Sequence, residues 1–287
     1  MRTSVDTTPA GRVRVGDGHA LRTLEWGAAG APVALLLHGM PGGAEDWLTL
    51  GALLSRRHHV VAVDRPGYGG SGSRTLPLGQ QVAAYAGLLG ALGGAPALVV
   101  GHSYGAIPAA VLAAEHPRLV GALGLIAPAL RERGRDRAAP PGVAGLLHLL
   151  ERPGPATVVA SSLLSRPGRA LLARLLDPPS FRPDPVDAEH RAGVRDRTLR
   201  LGAIRSALRE ALALEGEEAH ADELLAAISA PTAVIHGRGD RVVHPSAGAR
   251  AAESIGTAEL HELAGGHMVT ISRAREVDER LADLTGR

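Results

Sequence analysis

The stretch Leu98-Val99-Val100-Gly101-His102-Ser103-Tyr104-Gly105-Ala106 decides how the rest of the chain is interpreted. Its first three residues suit a buried strand, and the apolar residues from position 106 to 115 suit a helix. A Gly-x-Ser-x-Gly turn between a strand and a helix holds its serine on strained backbone with the hydroxyl exposed, and only small residues fit beside it. We therefore predict that Ser103 is a nucleophile and not the incidental serine of a glycine-rich turn.

A serine nucleophile needs a base that takes its proton and an acid that holds the base in the right tautomer. Asp240 lies in the loop that follows the predicted strand 232–236. His267 comes after the strand-like run 258–263 and two glycines, which leave room for an imidazole near the serine. The order Ser103, Asp240, His267 therefore predicts a catalytic triad.

The sequence leaves alternatives open for the acid and the base. Glu132, which follows the preceding predicted strand, is the alternative acid, and Asp240 also fits the role of a turn residue or helix cap. A zinc site built from His236, His244 and His261 is the competing use of the histidines. The chain has neither a His-Glu-x-x-His motif nor a cysteine to support that site.

Acyl chemistry also needs backbone donors for an oxyanion. The segment His38-Gly39-Met40-Pro41-Gly42-Gly43 follows a predicted buried strand and can aim the Met40 N–H inward. The N–H of Tyr104, next to the nucleophile, is the second candidate. We expect Met40 and Tyr104 to act through their backbone, while their side chains shape the pocket.

Apolar runs on both sides of the serine turn predict a parallel sheet with crossover helices. The predicted strands are 12–15, 21–26, 33–37, 60–63, 97–100, 122–126, 232–236 and 258–263, and the predicted helices are 45–54, 80–92, 106–115 and 275–284. Residues 128–230 differ, because their Arg-, Leu- and Ala-rich helical patterns are broken by prolines and contain no strand-like run. We expect residues 1–127 and 231–287 to form an α/β core and residues 128–230 to form a helical lid inserted before the last strands.

Composition excludes several kinds of chemistry. The 287 residues contain no cysteine, which removes disulfides, thiolate metal sites and a cysteine nucleophile. They also contain no lysine, which removes Schiff-base chemistry and a Walker lysine. We expect neither a cofactor nor a metal.

The expected partner is a small-molecule substrate. The formal net charge is only +2, and Glu132 and Asp136 interrupt the basic run 131–137, so nucleic-acid binding is not expected. Residues 82–114 carry no charged side chain, but Gly93, Gly94 and Pro96 divide them into pieces of soluble length, so no membrane span is predicted. The first residues lack the apolar core of a signal peptide, which predicts a cytoplasmic location.

A glycine-rich loop offers a dinucleotide-binding alternative. Gly67-Tyr68-Gly69-Gly70-Ser71-Gly72 fits the Gly-x-Gly-x-x-Gly pattern after a predicted strand. That fingerprint also requires a helix starting at the loop and an acid about 20 residues further on. Because residues 65–114 contain neither Asp nor Glu, we favour a different role for the loop.

Across nearly its whole length, the sequence resembles the α/β-hydrolase family. The matching pieces are His38-Gly39-Met40-Pro41-Gly42, Asp64-Arg65-Pro66-Gly67-Tyr68-Gly69-Gly70-Ser71, Ser103, Asp240 and His267. The resemblance implies a mostly parallel sheet, a nucleophile elbow, a helical lid and a structural role for the Asp-Arg-Pro-Gly loop. The first two pieces are similar to those of epoxide hydrolases and haloalkane dehalogenases, which carry aspartate at the elbow, so Ser103 favours acyl chemistry through an ester intermediate.

These features together predict a serine hydrolase that cleaves an ester, lactone, thioester or amide of a small aliphatic substrate. The resemblance leaves other activities open on the same triad, namely those of an acyltransferase or cyclase, a C–C hydrolase and a cofactor-free peroxidase. A ligand-binding receptor with a slow or silent site is the alternative that is not an enzyme.

Overall fold

The computed structural model describes residues 11–15, 19–72, 74–93, 96–130, 143–151, 154–163, 165, 167, 183–184, 186, 188–213 and 221–286. Eight strands form one sheet: β1 (Gly11–Val15), β2 (His19–Trp26), β3 (Val33–Leu37), β4 (His59–Val63), β5 (Ala97–His102), β6 (Val120–Ile126), β7 (Thr232–Gly237) and β8 (Ala258–Leu263). Their order across the sheet is β1-β2-β4-β3-β5-β6-β7-β8. The six strands from β3 to β8 are parallel, and β2 is antiparallel to both β1 and β4. The predicted mostly parallel sheet is confirmed.

Helices cover both faces of this sheet and also fill the long connection between β6 and β7. They are α1 (Leu48–Leu54), α2 (Leu78–Leu92), α3 (Ala106–Glu115), α4 (Val143–Glu151), α5 (Pro155–Leu163), α6 (Ala188–Thr198), α7 (Leu201–Ala213), α8 (Ala221–Ala226), α9 (Ser246–Ser254), α10 (Val269–Ser272) and α11 (Ala274–Thr285). A 3₁₀ turn over Ala44–Trp47 replaces the start of the first predicted helix. In the described part of the chain, no helix is both long and apolar enough to cross a membrane.

Alternate residues of the central strands belong to two hydrophobic cores, as the two-residue period of a strand requires. Leu35 and Leu37 of β3 lie in the core that contains buried side chains of α2, α3 and α9. Ala34 and Leu36 lie in the core that contains buried side chains of α1 and α11. Because both faces are covered, the central strands are apolar throughout, which is why they appear in the sequence as continuous hydrophobic runs.

The connection between β6 and β7 contains α4 to α8, and every described regular element in it is helical. We call residues 128–230 the lid segment, after the role that the sequence predicts for them. Its last part belongs to the core, because Leu225 and Ile228 pack with the helices on the α2 and α3 face of the sheet. The segment therefore rejoins the α/β core before β7 begins.

Candidate active site

Ser103 lies on a sharp turn between β5 and α3. Its φ angle is +53°, in the left-handed region that non-glycine residues rarely adopt, and its side chain is nearly buried. A Cβ on Gly101 would collide with the carbonyl oxygen of Gly105, and one on Gly105 would collide with that of Leu37. The two glycines therefore allow the turn to close against the end of β3, which is the context that the sequence predicted for a nucleophile elbow.

Asp240 and His267 come together at the ends of β7 and β8. The Nδ1 atom of His267 lies 2.8 Å from Oδ2 of Asp240, and both side chains are buried. Because a carboxylate oxygen can only accept a hydrogen bond, Nδ1 carries the proton. The other ring nitrogen, Nε2, is therefore the one available to accept a proton from a substrate or a neighbouring hydroxyl.

Three further groups donate to the Asp240 carboxylate. The backbone N–H groups of Val242 and Val243 donate to Oδ1 at 2.8 and 3.0 Å, and Nε2 of His236 lies 3.2 Å from Oδ2. Burial alone would raise the pKa of Asp240, but the hydrogen bonds from His236, His267 and Val242 outweigh it and hold the pKa below its usual value. Asp240 is therefore an anion over the whole physiological pH range and can orient His267.

His102, immediately before the predicted nucleophile, supports the loop that carries His267. Its Nε2 donates to the His267 carbonyl oxygen at 2.9 Å, and the two rings lie 4.8 Å apart between centroids. Burial and the neighbouring His267 lower the pKa of His102 to about 3, so this imidazole stays neutral at physiological pH. Within the described part of the chain, no hydrogen bond links the Ser103 hydroxyl to His267, a bond that often tightens only when substrate is present.

The loop after β3 is held by hydrogen bonds to its carbonyl groups. The Arg65 guanidinium donates to the His38 and Gly39 carbonyl oxygens at 2.7 and 3.1 Å, and Nδ1 of His38 lies 2.8 Å from the same Gly39 oxygen. In a planar trans peptide the N–H points away from the C=O, so the Met40 N–H faces away from Arg65. A Cβ on Gly39 would lie 3.0 Å from Cβ of Ser103, which places this peptide beside the elbow.

Arg65 is fully buried and forms an ion pair with Glu210 of α7. The two side chains are 0% and 2% exposed, with an N–O distance of 2.6 Å, and the Tyr68 hydroxyl donates to the same carboxylate at 2.7 Å. Burial would lower the pKa of Arg65, but the Glu210 charge outweighs it and keeps that pKa above its usual value. The Arg65 guanidinium also lies 4.6 Å from the centroid of the Tyr104 ring. One cation therefore contacts the loop after β3, the residue after Ser103 and, through Glu210, the lid segment.

The described contacts support neither the zinc site nor the dinucleotide-binding loop that the sequence left open. The Nε2 atom of His236 lies near Asp240 and the Val243 carbonyl oxygen, and exposed His244 is hydrogen-bonded to Ser246. Among the described residues, no group of three His, Cys, Asp or Glu side chains could hold a metal ion. The glycine-rich loop after β4 wraps the carboxylate of Asp64, which accepts the Gly70 N–H at 2.7 Å, and the next helix begins only at position 78. Glu132 lies outside the described residues.

The sequence predicts Ser103, Asp240 and His267 as site residues, but it does not reveal three polar residues that lie around them. In the sequence, His236 suggests only a metal ligand, and His102 is only the variable position of the pentapeptide. Glu210 carried no local signal, because a glutamate in an amphipathic helix usually faces solvent. The spacing of His236 and Asp240, four residues apart at the end of β7, is a sequence signal that points to their contact.

The fold and the serine elbow together define an α/β hydrolase. A model of the alpha/beta hydrolase family matches residues 34–280, and the chain belongs to that family.

Individual relatives act on different bonds. RutD of Klebsiella pneumoniae, named provisionally as a carbamate hydrolase, is 29% identical over 259 residues, which are 88% of this chain and 91% of that protein. Epoxide hydrolase A of Mycobacterium tuberculosis is 38% identical over 104 residues, which are 34% of this chain and only 32% of that protein. An enol-lactonase structure from Burkholderia xenovorans LB400 has a TM-score of 0.72 and 22% identity, covering 96% of this chain and 100% of that chain.

Proposed function

We propose that this protein is a serine hydrolase that cleaves an ester, lactone, thioester or amide bond of a small molecule through an acyl-enzyme intermediate. The hydrogen bond between His267 and the anionic Asp240 is the observation that supports this function most strongly. The residue before the strained Ser103, His102, contacts the loop that carries His267. A metal or redox cofactor has no part in this chemistry.

The residues divide the reaction between them. Ser103 Oγ attacks the substrate carbonyl carbon while Nε2 of His267 takes the hydroxyl proton, and Asp240 stabilises the resulting imidazolium. The tetrahedral oxyanion accepts hydrogen bonds from the Met40 and Tyr104 N–H groups. The imidazolium then protonates the leaving group. Water, activated by the same imidazole, hydrolyses the ester to Ser103 and restores the free enzyme.

Arg65 supports the Met40 donor in this proposal. It holds the carbonyl side of the Gly39–Met40 peptide, so the N–H is oriented before substrate arrives. Preorganised donors of this kind contribute about 3 to 4 kcal/mol each to transition-state stabilisation. The carbamate-hydrolase name of the RutD relative is consistent with attack on a carbonyl carbon.

Labelling by a fluorophosphonate tests this function without knowledge of the substrate, because the adduct mimics the tetrahedral intermediate. We expect one adduct, on the peptide that contains Ser103, and hydrolysis of short aliphatic activated esters. Ser103→Ala removes both, with a loss of turnover of about a million-fold. Ser162→Ala is the matched control, since the Ser162 hydroxyl only donates to the Val158 carbonyl within α5. A folded wild-type protein that refuses the probe would instead indicate a receptor or a silent site.

The acid is tested separately. Asp240→Asn favours the wrong imidazole tautomer and is expected to lower turnover by about ten-thousand-fold while the protein remains folded. Glu132→Gln is expected to leave turnover close to the wild-type value. The reverse pattern, with the large loss at Glu132, would refute the assignment of Asp240.

A further inference from the structure

A buried carboxylate from the lid segment contacts the loop that carries His267. Asp184 is 6% exposed and precedes α6. Both of its carboxylate oxygens lie 2.9 Å from the Gly266 backbone nitrogen, and Oδ2 also accepts the Met268 N–H at 3.2 Å. The Ser272 hydroxyl donates to Oδ1 at 2.8 Å. All these donors lie within seven residues, and two of them are the immediate neighbours of His267.

The peptide bond that follows His267 is held on both sides. Asp184 accepts the N–H of Met268, and His102 donates to the carbonyl oxygen of His267, which belongs to the same peptide. Because a peptide group is planar, fixing both its N–H and its C=O fixes its orientation. The lid segment and the elbow strand therefore hold the backbone of His267 between them.

Apolar contacts reinforce the same connection. Pro183 lies against the loop that carries Asp240, since a Cβ on Gly239 would lie 3.2 Å from the proline ring. On the other side of Asp184, Val186 and Val194 form a small buried cluster with Met268. The lid segment thus contacts the loops of both the predicted acid and the predicted base.

We propose that Asp184 is a positioning residue for His267, so that hydrolysis requires this part of the lid segment to be docked on the core. The proposal rests on the role of His267 as the base. Every hydrogen-bond donor to the Asp184 carboxylate within the described ranges lies in residues 266–272, and an uncompensated buried carboxylate is costly, so the lid carboxylate and these N–H groups stabilise each other. Undocking of the segment would remove the acceptor from the two amides that flank the base and release the imidazole from its alignment.

Asp184→Asn tests the proposal, because the amide keeps the size of the side chain but replaces one acceptor oxygen with a donor. A displacement of about 1 Å in a catalytic group costs on the order of 100-fold in rate, so we expect kcat and the rate of fluorophosphonate labelling to fall about 100-fold, with KM little changed. Ser272→Ala is the matched control. It removes a donor to the same carboxylate and a 3.3 Å contact with the Met268 carbonyl oxygen, while the Gly266 and Met268 N–H groups keep their acceptor, so it should keep most of the activity.

A double-mutant comparison separates positioning from general damage. If Asp184 acts through the base, Asp184→Asn slows labelling in the wild-type background but not in a His267→Ala background. An equal loss in both backgrounds would show that the substitution damages the pocket by another route and would overturn the proposal. Should the Asn variant fail to fold, Asp184→Glu retains the charge and shifts it by one methylene, and a wild-type labelling rate in that variant would also overturn it.

The outcomes distinguish this inference from the proposed function. A wild-type protein that is labelled at Ser103, together with an Asp184→Asn variant labelled equally fast, refutes the positioning role and leaves the hydrolase standing. A wild-type protein that is not labelled refutes the proposed function itself.

Discussion

Two of the described parts of the lid segment differ in how they contact the rest of the molecule. The inner part, residues 183–213 with α6 and α7, reaches the core through buried polar side chains at Asp184, Ser206 and Glu210. The outer part, residues 143–163 with α4 and α5, is bonded to α7, because Arg205 donates to the Leu150 carbonyl oxygen and Arg209 pairs with Glu151. The inner part therefore connects the outer part to the core.

Exposure follows the same division. The outer part presents large apolar side chains to solvent, with Leu149 51% exposed and Val158 65% exposed. In the inner part, Val186 and Val194 are less than a tenth exposed and pack against Met268. The helices of one segment thus differ in burial. Those of the inner part are anchored near the site, and those of the outer part expose apolar side chains at a distance from it.

The largest expected effect comes from the carboxylate of the buried lid ion pair. Glu210→Ala leaves Arg65 buried without its counter-ion, which typically destabilises a protein by about 3 to 5 kcal/mol. Glu151→Ala in the outer part is the matched control, because its Arg209 partner is more than a third exposed and such pairs contribute at most about 1 kcal/mol. Urea unfolding of both variants measures the difference. Equal losses would break the distinction between the two parts.

The second prediction concerns how the free energy of unfolding depends on pH, through the buried histidine His102. His102 has a pKa of about 3 in the folded protein, whereas an unfolded histidine titrates near about 6.5. Between these pH values the unfolded chain binds more protons, so the free energy of unfolding falls as pH falls through this window. His102→Gln does not titrate, and its amide retains a donor for the His267 carbonyl.

The measurement is the slope of the unfolding free energy against pH, obtained from urea titrations. We expect the His102→Gln slope to be smaller than that of the wild type by up to about 1.4 kcal/mol per pH unit below about pH 6.5. His148→Gln makes the same chemical change at an exposed histidine of α4 in the outer part and is the control for the substitution itself. A steep slope that persists in His102→Gln would show that other groups cause the acid sensitivity.

The sequence predicted the features that depend on local patterns. The five strands from β3 to β7 came from apolar runs, since parallel strands covered on both faces are hydrophobic throughout. The first two strands came from the turn between them, and β8 came from a weaker strand-like pattern. The elbow came from Gly101 and Gly105, because a Cβ on Gly101 would meet the turn itself and one on Gly105 would meet the end of β3. The pairing of Asp240 with His267 followed from chain order and from the loops at the ends of β7 and β8.

The supporting residues could not be predicted in this way, because their partners are distant in sequence. Asp184 meets Gly266 across 82 positions, and Glu210 meets Arg65 across 145. Locally, Glu210 and Glu151 are both glutamates in leucine-rich helices, yet one is buried and the other exposed. Only the packing of α7 over the loop after β4 distinguishes them.

The smallest expected effect lies on the exposed face of the outer part. Val158→Ser replaces an apolar side chain that is already in water, so the free energy of unfolding should change by no more than about 0.5 kcal/mol and kcat should not change. Val194→Ser makes the same chemical change in the inner part. There it buries a hydroxyl beside Met268, which should cost about 2 kcal/mol or more and lower kcat through the His267 loop. A marked loss of kcat in Val158→Ser would mean that the outer part also controls the site, and the division between the two parts would then fail.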